Sequence, residues 1–542
     1  AKIGRAKEQF TSDEAIALYR DSYSPFYDDE GERLTSAAVA PDSTEQVQAI
    51  MRVCNQYKIP IYPISTGKNL GYGGSAPAYS GSMVLDLKRM NRILNVDARN
   101  HTVLVEPGVT FWEIDEYIRE NNIDMTLDIP DPAWGSLMGH ALDRGVGHTY
   151  SDFGRDRVST ICGMEVVLAN GDLIRTGTGA LETSEMWQDH KWGLGPGIDA
   201  MFSQANFGVV TKMGLWVRPG HRGYRAGRVH VPKNEDLIPL IDIECELSNA
   251  GINNGMTAFG SELAPFGPPD REVVGLVNRP GGPDISALER LAADRNMGYW
   301  NAELKFHGPL SVSAAQWEYA KELYREKLPG AWFEDYGPAL EWPLSEEAIS
   351  TLNTPHHVEK VHIGMPSMSR FRGGNRSQMN NSPDWGHLWF APLIPKHGEE
   401  VFKAQQVFGE VFRKFASEGG DVQGGPLGYF GRAPMHWHAR VGVFLNGLGV
   451  SRDRAQNRRT REMFLELVQV AADNGWQEYR TPAFFQTEVM DMCAGFNDHA
   501  LMKFYESLKD AVDPNGIISA GRYGIWPRHL REEKAPWHKR NA

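Results

Sequence analysis

Hydrophobic residues recur at helical spacing directly after Ser43 and then give way to short apolar runs. Ser43 begins the sequence S-T-E-Q, which is typical of a capping box, and Val47, Ile50, Met51 and Cys54 follow on one face of a predicted helix. The next segment, IPIYPIS, reads as extended, and its two prolines favour a strand at the edge of a sheet. The predicted order is therefore helix, strand and then a glycine-rich loop, GKNLGYGGSAP.

Beyond this loop, short strands and helices alternate. SMVLDL, RILNV and TVLVEPG predict strands, and FWEIDEYIREN predicts a helix. A second glycine-rich stretch, from Asp128 to Gly147, precedes a predicted hairpin, MEVVLANGDLIRTG, which turns at Asn170-Gly171. A further segment, SQANFGVVTKMGLWV, closes this half near Val217. These patterns predict an α+β fold.

The pattern of predicted helices, strands and Pro-Gly segments changes near residues 220 and 476. Between these positions acidic helices alternate with β-rich and Pro-Gly segments, and the longest irregular stretch covers residues 364–386. The tail contains a predicted helix, FYESLKDAV, followed by DPNGII and AGRYGIW. We therefore expect a second domain over residues 223–476, between a first part at 1–222 and a C-terminal part at 477–542.

Composition narrows the class of protein. The 542 residues are 41% hydrophobic and 23% charged, which excludes a small binding module and a disordered chain. The net charge of -13 opposes binding to nucleic acid. The four cysteines form no CxxC pair, so neither a zinc knuckle nor a disulfide framework is expected. No run of about 18 apolar residues occurs, and we expect a soluble protein of the cytoplasm or another intracellular compartment, without excluding a removed leader.

The loop from Gly71 to Ala76 formally satisfies the GxGxxA fingerprint of dinucleotide-binding folds. That fingerprint must open a helix, whereas Pro77 and a predicted strand follow here, so the Rossmann interpretation is rejected. The glycines instead allow backbone N–H groups to approach an anion. A plain turn is the alternative that the residues alone leave open.

An ordered set of segments resembles the vanillyl-alcohol oxidase and p-cresol methylhydroxylase flavoproteins, closest in pattern to the eugenol oxidase-like 4-phenol oxidases. The segments, which span nearly the whole chain, are PDSTEQVQAI, STGKNLGYGG, LVEPGVT, PDPAWGS, LDRGVG, GMEVVLANG, FSQANFGVVTKMG, WGHLWFAP, EYRT and DPNGII. The resemblance implies a split FAD-binding domain, formed by residues 1–222 and 477–542. It also implies that the inserted residues, 223–476, form an α/β cap over the substrate.

The same resemblance implies a phenol site. Tyr72, Tyr479 and Arg480 fall where the family binds a phenol oxygen, and two hydroxyl donors with a guanidinium favour the phenolate. Asp131 matches an aspartate held near flavin N5, where it can also serve as base for water, and Arg522 stands where relatives carry a basic residue near the flavin. Without the resemblance these residues would be interpreted as a packed tyrosine, a turn carboxylate and surface arginines.

The resemblance further implies covalent FAD. His387 lies where the oxidase branch attaches the flavin 8α-methyl, which raises the flavin potential; a core histidine is the alternative. The p-cresol methylhydroxylase branch uses a tyrosine at a slightly different position. The other residues expected to bind FAD lie in glycine-rich segments: Ser65, Thr66, Gly67, Lys68, Asn69, Gly71, Gly73, Pro130, Gly135, Ser136, Gly139, Gly145, Gly208 and Val209.

Two segments depart from the family pattern and leave the substrate open. Where relatives often show Arg-Glu-Met-His-His, residues 432–438 read RAPMHWH and lack the acidic residue. The segment before His387, FRGGNRSQMNNSP, is longer and lacks a glutamate that relatives carry. His436 and His438 would share a face on a strand, but without Cys or carboxylate companions they favour a structural role over a metal site.

The prediction is an FAD-dependent oxidase of para-substituted phenols: 4-alkyl, 4-allyl or 4-hydroxymethyl phenols. Hydride leaves the α carbon for flavin N5, the resulting quinone methide takes up water or loses a proton, and oxygen reoxidises the flavin to give hydrogen peroxide. One alternative is a cytochrome-coupled 4-alkylphenol dehydrogenase, whose haem would lie on another chain because no CxxCH occurs here. Another is a non-catalytic flavin- or aromatic-binding protein. We expect a homodimer or larger homo-oligomer and no nucleic-acid or membrane partner.

Overall fold

A computed structural model of the chain describes residues 9–10, 12–150, 157–264, 270–353, 359–367, 386–417, 432–436, 438 and 440–539. Most of the irregular stretch expected at residues 364–386, including FRGGNRSQMNNSP, lies outside these residues. None of the helices in the described part of the chain is long and apolar enough to cross a membrane.

The first part of the chain forms two main sheets. Its helices are α1 (Asp13–Ala17), α2 (Thr44–Tyr57), α3 (Phe111–Glu120) and α4 (Leu137–Leu142). Its strands are β1 (Gln9–Phe10), β2 (Ala38–Val39), β3 (Ile61–Ile64), β4 (Met83–Asp86), β5 (Ile93–Asp97), β6 (Thr102–Val105), β7 (Met125–Thr126), β8 (Ile161–Val167), β9 (Leu173–Arg175), β10 (Val209–Trp216) and β11 (Arg218–Pro219). The strand orders are β1-β2-β4-β3 and β5-β6-β10-β8-β9.

Local sequence signals explain these elements. Helix α2 starts after Ser43, whose hydroxyl accepts a hydrogen bond from the backbone N–H of Gln46, as predicted. The Gln46 side chain accepts instead from the N–H of Asp42, one residue before the position that a capping box requires. The apolar face of α2 packs into a core with β3 and β4. The strand after the glycine loop is β4, which confirms that this loop does not open a helix.

The middle of the chain contains one large sheet and a separate pair of strands, Gly386–Phe390 and Asn446–Val450. The helices of this middle part are α5 (Leu237–Asn249), α6 (Arg271–Val277), α7 (Ile285–Asp294), α8 (Leu310–Lys327), α9 (Glu346–Leu352), α10 (Glu359–His362), α11 (Gly398–Ser417) and α12 (Arg454–Asp473). Its strands are β12 (Gly223–Val231), β13 (Thr257–Gly260), β14 (Trp300–His307), β15 (Trp332–Asp335), β16 (Leu340–Glu341), β17 (Gly386–Phe390), β18 (Pro392–Pro395), β19 (Arg432–His436), β20 (Val441–Val443) and β21 (Asn446–Val450).

The C-terminal tail joins both halves of the molecule. It contains β22 (Gln477–Glu478), α13 (Gln486–Cys493), α14 (Phe496–Val512), α15 (Arg531–Lys534) and α16 (Pro536–Lys539), and α14 confirms the predicted tail helix. Strand β22 completes the large sheet, in the order β15-β12-β14-β13-β19-β20-β18-β22, with β16 paired to β12.

Further along the tail, the chain returns to the first sheet. Ile518 forms a parallel bridge with Ile61 of β3. The N–H of Ile61 donates to the carbonyl of Ile517 (2.7 Å), and the N–H of Ser519 donates to that of Ile61 (2.7 Å). The helices and the largely antiparallel sheets together confirm the α+β class. The contacts of the tail with β3 place residues from both parts of the chain around one cleft.

Candidate active site

A long cleft opens where the loop after β3 meets the region around α4, the start of β10 and the C-terminal tail. It encloses about 1650 Å³ of empty space, including the solvent at its mouth. Residues from several separate parts of the chain line it, among them residues 62–70, 72–74, 130–132, 208–210 and 479–480.

Glycine is required at two positions of the loop after β3 because both the backbone and the space demand it. Gly67 and Gly71 have φ angles of 66° and 82°, in the left-handed region. A Cβ on Gly67 would lie 2.2 Å from the Ser75 hydroxyl, and one on Gly71 would lie 2.6 Å from Trp389. Any side chain at either position would therefore strain the loop and displace a neighbour.

Nearly all residues predicted to bind a cofactor line this cleft. The exceptions within the described residues are Gly71, Gly145 and His387. Gly71 and Gly145 have packing roles, because a Cβ on Gly145 would lie 2.2 Å from the His140 ring. The three glycine-rich segments, although distant in sequence, therefore converge on one cleft.

The structure brings Tyr72, Tyr479 and Arg480 together at the cleft wall. The Arg480 guanidinium carbon lies 4.0 Å from the ring centroid of Tyr72 and 5.1 Å from that of Tyr479. The N–H of Tyr479 donates to the carbonyl of Ala391 (3.0 Å), which fixes the chain beside β18. The Tyr479 hydroxyl donates to the carbonyl of Arg144. An oxygen ligand at this wall would meet one cation and two phenolic rings.

Electrostatics keep this cluster ready for an anion. Burial disfavours the charge of Arg480, but Tyr479, Tyr72 and Asp143 outweigh it and raise the pKa of Arg480 above its ordinary value. Burial raises the pKa of Tyr72, although Arg480 opposes this shift, so the Tyr72 hydroxyl stays protonated and can donate a hydrogen bond. The cluster thus presents one fixed positive charge and a neutral donor.

Sequence reasoning missed Asp143, which lies between the two arginines of the cleft. Its Oδ1 accepts a hydrogen bond from Arg522 (2.7 Å), and its Oδ2 accepts from Asn69 (2.7 Å) and Arg480 (3.4 Å). Arg522 also donates to the Tyr62 hydroxyl (2.9 Å). The only sequence signal for Asp143 was its place in the segment LDRGVG, next to residues with predicted roles.

Further titratable groups line the cleft without having been predicted to act there. His140 and His148 are both part of the lining. Burial, together with the charges of Arg157 and Arg480, lowers the pKa of His140 well below its ordinary value, so its ring is neutral. Burial, and the nearby Lys88, also lower the pKa of Lys68 to about 8.

Asp131 lines the cleft between Pro130 and Pro132. Its Oδ1 is shielded from solvent. The two prolines restrict the backbone on either side of it, so the carboxylate is carried by a stiff segment. A carboxylate held in this way can act on a ligand within the cleft.

His387 lies one layer behind the cleft wall. Alternation along β17 places His387 and Trp389 on one face, and Trp389 lines the cleft. The rings of His387 and Trp389 are 4.3 Å apart, and the Tyr23 ring is 4.9 Å from His387. Burial lowers the pKa of His387, which leaves the imidazole neutral and nucleophilic.

The two histidines that departed from the family pattern are separated by the end of β19. His436 is the last residue of that strand, and the His438 ring lies 5.9 Å from the Tyr479 ring. The side chain of His436 lies outside the described part of the chain. Within the described ranges, no group of three or more His, Cys, Asp or Glu side chains could hold a metal ion.

Comparison with known proteins identifies the class of protein to which this cleft belongs. Residues 35–177 match the family "FAD binding domain", which makes the chain a flavoprotein. The 4-cresol dehydrogenase [hydroxylating] flavoprotein subunit of Pseudomonas putida is 32% identical over 496 residues, which cover 90% of this chain and 88% of that protein.

Two solved structures share the fold over nearly the whole chain. The 4-ethylphenol oxidase from Gulosibacter chungangensis, in complex with isoeugenol, has a TM-score of 0.80 and 29% identity, covering 97% of this chain and 95% of that one. p-Cresol methylhydroxylase with substrate bound has a TM-score of 0.77 and 30% identity, covering 96% and 94%. The chain belongs to the vanillyl-alcohol oxidase and p-cresol methylhydroxylase family of FAD-dependent oxidoreductases.

The residues of the cleft fit this cofactor. Gly67 and Gly73 line the cleft with a left-handed backbone, a conformation in which N–H groups can turn toward an anionic group such as a diphosphate. A Cβ on Gly139 would lie 2.3 Å from the Ser65 hydroxyl, so this glycine lets two cofactor-lining segments approach closely. Arg522, held by Asp143 and Tyr62, supplies a fixed cation further along the cleft.

Proposed function

We propose that this protein catalyses the FAD-dependent oxidation of para-substituted phenols. The observation that carries the proposal is the arrangement of Arg480 between the rings of Tyr72 and Tyr479 at the cleft wall. A fixed guanidinium beside the protonated Tyr72 hydroxyl favours the anionic form of a bound phenol, while the Tyr479 hydroxyl donates to the carbonyl of Arg144. The relatives that cover almost the whole chain are a 4-cresol dehydrogenase subunit and a 4-ethylphenol oxidase, and they support this choice of substrate class.

Different residues of the cleft act on the phenol oxygen and on the para side chain of the substrate. Arg480, Tyr72 and Tyr479 bind and orient the phenolate, whose negative charge pushes electrons toward the para substituent. When bound, FAD would supply the acceptor for the hydride that leaves the α carbon of that substituent. The quinone methide left on the substrate takes up water or loses a proton, and Asp131 is placed to hold that proton.

The cofactor would be held by the glycine-rich segments together with Arg522. We assign residues 1–222 and 477–542 to the FAD-binding domain and residues 223–476 to the cap. The start of the large sheet at Gly223 supports the first boundary, and the bridge from the tail to β3 supports the return of the chain to the first domain. Strand β22 (Gln477–Glu478) still belongs to the large sheet, so this return follows residue 478. Oxygen is the proposed electron acceptor, with hydrogen peroxide as product, in a homodimer or larger homo-oligomer.

One observation favours a second candidate acceptor. The relative from Pseudomonas putida is named as the flavoprotein subunit of a dehydrogenase. A cytochrome could therefore take the electrons in place of oxygen. Peroxide release by the purified protein, measured against reduction of added cytochrome c, separates the two acceptors.

The experiment that tests the proposed function is anaerobic mixing of the holoprotein with 4-ethylphenol in a stopped-flow spectrometer. Bleaching of the flavin absorbance, with formation of the alcohol or alkene product, supports phenol oxidation. A flavin that stays oxidised with 4-ethylphenol, 4-allylphenol and 4-hydroxymethylphenol alike would refute it. The side-chain series also reveals which class of para substituent reacts fastest.

We further propose that the flavin is attached to His387, whose neutral imidazole lies in contact with the cleft-lining Trp389. The variant His387→Ala is expected to bind FAD without a covalent bond and to reduce it more slowly, because attachment raises the flavin potential. The measurement is flavin fluorescence of the protein band after denaturing electrophoresis. His397→Ala, at an exposed histidine outside the cleft, is the matched control and keeps the fluorescent band. A fluorescent band in the His387 variant would contradict the assignment.

A further inference from the structure

Asp143 holds the two arginines of the cleft in a single unit. Its two oxygens take hydrogen bonds from Arg522 at 2.7 Å and from Arg480 at 3.4 Å. The side chains of Asp143, Arg480 and Arg522 are 9%, 12% and 17% exposed. Charges so poorly solvated interact more strongly than charges at a surface, so their sum matters for any ligand beside them.

The formal charge of this unit is +1, from two guanidinium groups and one carboxylate. The other groups that face it do not change the sum. Tyr523 is buried, which raises its pKa and keeps it neutral. Arg144 is exposed, so water screens its charge, and Lys68 faces Lys88 and Asp86.

Asn69 also belongs to this unit, because it binds the Asp143 carboxylate. Its side-chain N–H group donates to the same Asp143 oxygen that faces Arg480 (2.7 Å). Arg480 is held on its other side by the face of the Tyr72 ring. The guanidinium therefore keeps its place through stacking, while Asp143 mainly sets how much of its charge is available to a ligand.

Building on the function proposed above, we propose that Asp143 matches the active site to monoanionic phenolates. By offsetting one of the two guanidinium charges, it leaves a single positive charge for the phenolate oxygen. A phenol whose para substituent carries a second negative charge would exceed what the unit can balance. Asp143 is thus a positioning residue that acts through Arg480 and selects phenols with uncharged side chains.

The test uses two ligands of equal shape and different charge, 4-nitrophenol and 4-hydroxybenzoate, neither of which has an α C–H to react. Dissociation constants are measured by difference spectra on the holoprotein and on Asp143→Asn. We expect Asp143→Asn to bind 4-nitrophenolate about three- to tenfold more tightly and to gain more for 4-hydroxybenzoate. The apparent pKa of bound 4-nitrophenol should fall in the same variant.

A merely structural role for Asp143 gives the opposite sign. If the carboxylate only braced Arg480, its loss would weaken both ligands, and weaker or unchanged binding to Asp143→Asn overturns the proposal. Should that variant not retain FAD, Asp143→Glu decides instead, since it keeps the charge and must keep the parent affinity to within about threefold.

One control variant completes the design. Asp510→Asn removes a carboxylate that pairs with Arg528 and Arg531 near the C-terminus, and it should leave both constants unchanged. The function proposed above fails separately, if the parent protein binds 4-nitrophenol with no preference for its anion or is not reduced by 4-ethylphenol.

Discussion

The methyl ether of 4-ethylphenol is expected to leave the flavin oxidised under anaerobic conditions in which 4-ethylphenol itself bleaches it. The ether cannot ionise, so it offers no negative charge to Arg480, whose side chain is only 12% exposed. It also lacks the electron push that makes hydride loss from the para side chain feasible. Because preorganised charge stabilisation typically contributes about 10²- to 10³-fold or more, we expect at least this loss in the reduction rate.

Stopped-flow absorbance at matched concentrations measures this difference, and the free phenol with the same side chain is the control. Binding should be measured in parallel, by displacement of 4-nitrophenol, so that weak binding and slow chemistry are told apart. An ether that reduces the flavin within about tenfold of the phenol would remove the phenolate mechanism. The para side chain would then have to react without help from its oxygen.

Asp131→Asn is expected to retain FAD and to bind phenols, because the amide nearly preserves the size and hydrogen bonding of the carboxylate. Flavin reduction should slow by at least about tenfold, since general acid–base and electrostatic groups contribute about 10²- to 10⁴-fold. The reason is that Asp131 lines the cleft on a segment stiffened by two prolines, where no other carboxylate was predicted to act. Anaerobic stopped-flow reduction of the variant gives the rate directly.

The matched control is Asp473→Asn, at an exposed position near the end of α12. It should reduce its flavin at the parent rate. A variant of Asp131 that also bleaches at the parent rate, with only a lower melting temperature, would make Asp131 a turn residue of the cleft wall.

Local features of the fold could be read from the sequence because their causes are local. The segment FWEIDEYIREN, predicted as a helix, forms α3. The capping box predicted at Ser43 and Gln46 formed only in part, because the Gln46 side chain accepts from the N–H of Asp42. The hairpin of β8 and β9 turns around Asn170-Gly171, as predicted. Pro77 after the glycine loop predicted that no helix starts there, and the strand β4 confirms this. Because the Rossmann fingerprint binds a dinucleotide at the start of a helix, the Rossmann interpretation was rejected correctly.

The pairing of distant residues could not be derived in the same way. Asp143 and Arg522 are 379 positions apart, and their ion pair depends on the tail bridging back to β3. No periodicity or spacing in a single sequence encodes that contact. The candidate site was therefore found through its resemblance to a family, whereas its central carboxylate was found only in the structure.

His387 shows a further limit. No secondary structure was predicted for its context, WGHLWFAP, and the structure shows that His387 lies on strand β17. Alternation places His387 and Trp389 on one face, but it does not tell which of them meets the cleft. Trp389 does so in the structure, with its indole N–H donating to the carbonyl of Leu70 (3.1 Å). Which of two side chains on the same strand face reaches a ligand depends on how far each lies from the cleft, and tertiary packing sets that distance.

The return of the tail to β3 also imposes an order on biosynthesis. Tyr62 and Arg522, which touch across the cleft, are 460 positions apart in the chain. At a translation rate of about 5–20 residues per second, Arg522 is synthesised roughly 20 to 90 s after Tyr62. Until then the cleft lacks the wall that the tail supplies, although residues 130–132 and 208–210 already line it. Because Arg522 lines the same cleft as the glycine loop, the cleft is complete only once residue 522 has been made, and we expect cofactor loading to be a late step in the maturation of this protein.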